Sequence, residues 1–71
     1  MTFEFDAPTT GTLADIATSA ADRAYEDGLW EKSERLYEAA YTLWFGIGHH
    51  QQAEHCLASA CWVHNKLTRA A

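Results

Sequence analysis

Apolar and small residues recur at helical spacing in three stretches, separated by two breaks that carry glycine. The first stretch runs through Leu13, Ile16, Ala17, Ala20 and Ala24, and spacing by threes and fours places these on one side of a helix from Thr12 to about Asp27. Thr12 followed by Asp15 reads as its start, the hydroxyl capping free amides and the acid favouring the positive end of the helix dipole. The second stretch, about Leu29 to Phe45, turns Ser33, Leu36, Tyr37, Ala40, Leu43 and Trp44 inward and Glu34, Glu38, Tyr41 and Phe45 outward. The third, about His49 to Thr68, repeats Ala53, Cys56, Ala60, Val63 and Leu67 inward with Leu57 beside them. The pattern predicts an all-α chain, a three-helix bundle in which an αα-hairpin packs with a third helix.

The breaks set the hairpins. Gly28 follows Asp27 and can take a positive φ without a Cβ penalty, so it is expected to end the first helix. Gly46-Ile47-Gly48 repeats that punctuation, with Ile47 expected to close one end of the core. Ahead of the helices, Met1 to Gly11 holds Pro8, Gly11 and a Thr9-Thr10 pair, which marks an arm at 1–11 before a helical domain at 12–71. Phe3 and Phe5 alternate with polar residues on that arm and could dock on the bundle or on another molecule.

From Ala21 to Ala40 the chain resembles the centre of a tetratricopeptide repeat. The residues that carry the likeness are Ala21, Gly28, Trp30, Ser33, Tyr37 and Ala40, with Gly46-Ile47-Gly48 standing where the repeat normally has a proline. The resemblance, about one and a half repeats, implies small residues at Ala21 and Ser33 that let the helices approach closely. It also implies a binding platform that self-associates or meets a partner. A weaker resemblance, through Tyr25-Glu26, Gly28, Trp30, Ser33, Tyr37 and Cys61, is to small bacterial and phage-borne regulators of the PerC and ANR type. It implies transcription regulation, either by DNA contact of a dimer through the third helix or through another DNA-binding protein.

Length changes the picture more than composition does. A chain of 71 residues buries only about 60% of the surface its unfolded form exposes, which leaves little room for a catalytic cleft. No stretch approaches the roughly 20 apolar residues of a membrane span, and no basic segment precedes an apolar run at the N-terminus, so a cytoplasmic protein with no membrane partner is expected. Cys56 and Cys61 are five apart on one helix and point in different directions, which argues against a disulfide between them. Met1 to Glu38 holds nine acids against Arg23, Lys32 and Arg35, a net of −6, whereas Ala39 to Ala71 is at +1. The acidic half repels nucleic acid, and two basic residues on the third helix are too few for the phosphate contacts that useful affinity needs.

Candidate chemistry narrows further. His50 with Glu54 and Cys61 with His64 are the pairs whose spacing allows convergence on a metal, but about two helical turns separate them, so no metal or cofactor is expected. Cys61 and His64 resemble a thiolate and base, without the orienting group and oxyanion site that nucleophilic catalysis needs, and no enzyme is expected. The outward side of the third helix is less ordinary, because it sets a tryptophan among amide and basic side chains. Tyr41, Phe45, His55, Ser59, Trp62, Asn65, Lys66 and Arg69 are therefore the candidate partner-binding residues. The expectation is a small adaptor or modulator, of phage or regulatory type, that self-associates as a homodimer or occupies a surface of a larger bacterial assembly.

Overall fold

The computed structural model describes residues 9–70, with side chains as far as Arg69, as three helices: α1 (Thr10–Glu26), α2 (Trp30–Gly46) and α3 (His50–Ala70). The Phe3 and Phe5 expectation falls outside the described residues. The helix begins two positions before the expected Thr12, because Thr9 caps it. The Thr9 hydroxyl accepts from the Thr12 N–H at 3.1 Å, and the Leu13 N–H donates to the Thr9 carbonyl at 3.0 Å. Thr9 offers the same capping oxygen as Thr12 and adds backbone bonds, so the earlier start wins.

Both turns are Schellman motifs. After α1, Gly28 at φ 77° donates to the Tyr25 carbonyl at 3.1 Å, and Leu29 donates to Ala24 at 2.9 Å. After α2, Gly48 at φ 81° donates to Phe45 at 3.1 Å, and His49 donates to Trp44 at 3.0 Å. Two reversals of one geometry leave α2 antiparallel to both neighbours and packed against both. Ile47, between the glycines, keeps 37% of its surface exposed beside Gly11 and joins neither core cluster, so it does not close the core as expected.

The expected inward faces of α2 and α3 hold except at Leu57, expected beside the α3 stripe but exposed at the open groove between α2 and α3. Ser33, Tyr37, Ala40 and Trp44 are buried with Leu36 and Leu43 half-buried, and Ala53, Cys56, Ala60 and Val63 are buried with Leu67 half-buried. The phase of α1 differs from the expectation. Ala14, Ala21 and Ala24 are buried, whereas Leu13 and Ile16 are 44% and 58% exposed. The reason is steric: the fully buried Ser33 hydroxyl donates to the Ala21 carbonyl at 2.8 Å, an approach of α2 to α1 that a leucine or isoleucine at the seam would block.

The core divides into two layers. Nearer the second turn, Ala14, Ala40, Ala53 and Cys56 surround Trp44. The Trp44 indole N–H donates to Thr18 Oγ1 at 3.0 Å, Thr18 donates to the Ala14 carbonyl at 2.8 Å, and Cys56 Sγ lies 3.6 Å from the same hydroxyl. Nearer the first turn, Ala21, Ala60 and Val63 surround Tyr37, whose phenol donates to Asp22 on α1. Burial first, and the Asp22 carboxylate second, push the Tyr37 phenol well above its ordinary value. Each layer thus buries one aromatic body from α2 and ties its polar end to α1.

Candidate functional site

Where the first turn meets the second half of α3, three aromatic rings from three helices converge. Tyr25 lies one residue before the C-terminus of α1, Trp30 opens α2, and Trp62 stands on the outer side of α3. The Gly28 reversal brings the first two together, since it folds α2 back immediately after α1 ends. Tyr25 and Trp30 are half-buried against the Tyr37 layer, while Trp62 is 59% exposed. The Trp62 indole N–H donates to the Tyr25 hydroxyl at 3.1 Å, which fixes the two rings relative to each other.

Lys66 lies one helical turn after Trp62 and swings its ammonium between the rings. Its Nζ is 5.1 Å from the Trp62 ring centre and 5.7 Å from those of Tyr25 and Trp30, within the range of cation–π attraction. Donation from the Trp62 N–H first, and from the Lys66 ammonium second, favours the phenolate and holds the Tyr25 phenol below its ordinary value. Arg69 and Asn65 border the same surface.

The candidate partner residues therefore separate into two groups. Trp62, Asn65, Lys66 and Arg69 are neighbours on the face just described. Tyr41 and Phe45 are neighbours on another side of α2, their rings 5.8 Å apart, but Tyr41, expected outward, is half-buried because it packs against the Trp44 layer. The Phe45 ring, 55% exposed, meets His50 edge-on at 5.3 Å. Between α2 and α3 on that side, exposed Leu57 and Cys61 lie beside Glu34 and Glu38 in an open groove of about 220 Å³, and His64 Nδ1 pairs with Glu34 at 2.7 Å. His55 is exposed on α3, and Ser59 is half-buried near the Tyr37 phenol, so neither belongs clearly to one group. A second shallow groove of about 510 Å³ runs from the first turn past Trp30 and Arg35 to Leu67.

Tyr25 and Trp30 are the residues that sequence reasoning missed. The signal was weak: two aromatics astride a glycine turn, and a tryptophan four before a lysine on another helix. Among the described residues no three His, Cys, Asp or Glu side chains gather where a metal could be held, and no helix is long and apolar enough to cross a membrane. Both cysteines are free, Cys56 buried and Cys61 exposed. Comparison with protein-family models, with curated proteins and with solved structures finds no match for this chain.

Proposed function

We propose that the chain is a small adaptor or modulator that acts by protein contact, as a homodimer or on a partner's surface, in the manner of a phage-type or regulatory protein that occupies a larger bacterial assembly. The observation that carries this reading is the number of large apolar side chains left outside so small a core: Trp62, Phe45 and Leu57 are all exposed on α2 and α3. Each is already about half covered, so burying the rest between molecules would contribute about 0.7–1.5 kcal/mol, up to about tenfold in affinity apiece. The DNA-binding alternative draws less support, because of the two basic residues of α3 Lys66 is engaged by aromatic rings and Arg69 is left alone.

Light scattering on the purified chain, with tagged capture from a bacterial lysate, tests the proposal. Trp62→Ala and Phe45→Ala are expected to weaken assembly by up to about tenfold while leaving helicity unchanged, whereas Val63→Ala lowers stability through a core cavity without changing the partner. A chain that stays monomeric at high concentration and captures nothing sinks the contact reading. Fluorescence anisotropy with random duplex DNA at low salt separates the alternative, which requires binding at micromolar protein.

A further inference from the structure

The ammonium of Lys66 is placed unlike that of an ordinary surface lysine. Among the described residues no lysine or arginine pairs with a carboxylate, so what sets Lys66 apart is its head group, which stands among the rings of Tyr25, Trp30 and Trp62. Three walls from three helices do not arise from local sequence, and two of them are joined to each other by the Trp62 to Tyr25 hydrogen bond. Trp30 is held by its packing against the core, so the third wall is set independently of the occupant.

Ring faces discriminate among cations through hydration. A primary ammonium has three N–H donors and a tight water shell that it surrenders in part when it sits against apolar rings. A methylated ammonium carries the same charge, is weakly hydrated and presents methyl groups that pack on those faces, which is why aromatic cages select it. The present occupant is therefore a poorer match to the rings than its methylated counterpart. The exposed edge of Trp62 leaves the site open to solvent, and the long stem of Lys66 lets its head group return to water.

We propose that Tyr25, Trp30 and Trp62 form a cage for a methylated ammonium group, with Lys66 as its resident, displaceable occupant. This deepens the protein-contact reading and rests on it only for the natural source of the ligand, since the cage binds without any partner protein. Lys66 competes from within the chain, so a ligand must displace it, and removing it raises affinity.

The test is a titration of the full chain with choline, followed by the indole N–H resonances in ¹H–¹⁵N spectra. Trp44 is the internal control, being buried in the other core layer. In Lys66→Ala the Trp30 and Trp62 signals are expected to move saturably while that of Trp44 stays, with half-saturation at least about fivefold lower than in the unaltered chain. The neutral isostere 3,3-dimethylbutanol is expected to bind at least about tenfold more weakly. A peptide bearing trimethyl-lysine separates the sources: tighter binding than choline assigns the cage to a modified protein side chain, and equal binding to a small ligand. No saturable shift in Lys66→Ala or Lys66→Gln of native helicity overturns the proposal, as does an equal response to the alcohol. Should both variants lose their fold, the same titration of the unaltered chain decides, a saturable Trp30 and Trp62 shift supporting the cage and its absence overturning it. Failure of choline leaves the association measurement to judge the contact reading separately.

Discussion

In one layer of the core Trp44 gives its indole proton to Thr18, and in the other Tyr37 gives its phenol proton to Asp22. Both acceptors are on α1, and in each layer the remaining wall is mostly alanine. The difference lies in what surrounds the acceptor. Thr18 is half-buried and neutral, already bonded to its own helix and touching the Cys56 thiol, so the Trp44 layer has no second partner to offer. Asp22 is exposed and solvated, so the Tyr37 layer has water at its edge. A layer sealed by a neutral hydroxyl depends on shape, and one built around a phenol whose proton burial retains depends also on pH.

The largest effect that would break the comparison comes from Trp44→Ala. It removes the bulk of the first layer at a cost of about 3–5 kcal/mol, enough to leave a domain of this size largely unfolded by circular dichroism. A folded product would show that the alanines alone hold that end. Next comes the pair of bond deletions. Thr18→Val keeps the shape but leaves the indole N–H without its acceptor, at about 1–3 kcal/mol, whereas Tyr37→Phe frees a carboxylate that water can satisfy and costs about 1 kcal/mol. Urea midpoints in which Tyr37→Phe proves the costlier would invert the contrast.

A smaller and more local effect is expected at the turns. Gly28→Ala and Gly48→Ala each place a Cβ at positive φ, for about 1 kcal/mol. Amide exchange should accelerate most around Tyr37 in the first variant and around Trp44 in the second. Uniform acceleration in both would mean that the two layers open as one. The smallest effect is alkaline. Because the folded Tyr37 phenol holds its proton above the ordinary value of 10.0, its contribution is fully present below that pH and is lost as pH climbs beyond it. Tyr25 has the opposite sign, its lowered value adding stability as pH rises towards 10.0. In absorbance titration, Tyr25→Phe should remove a step below pH 10, and Tyr37→Phe one that accompanies unfolding.

The sequence made α3 legible because its inward stripe is continuous and its outward tryptophan breaks no pattern. It misled in α1, where hydrophobicity pointed to Leu13 and Ile16 while close packing selected Ala14 and Ala21. At a seam narrow enough for Ser33 to reach a backbone carbonyl, side-chain volume outweighs transfer free energy, and periodicity weighs only the latter. Of the ring cluster, Trp62 and Lys66 could be read as an outward pair four apart. Tyr25 and Trp30 could not, because their convergence depends on how α1 and α2 abut α3, a tertiary relation that no local spacing encodes.

The two thiols give the molecule a built-in clock. Cys61 is open to solvent and Cys56 is sealed beneath Trp44, five positions apart on one helix. A thiol-reactive dye should label the first at the rate of a free cysteine and the second only when the Trp44 layer parts. In the regime where reclosing outruns labelling, the ratio of those rates reads the free energy of opening directly in buffer, without denaturant and without any added label site.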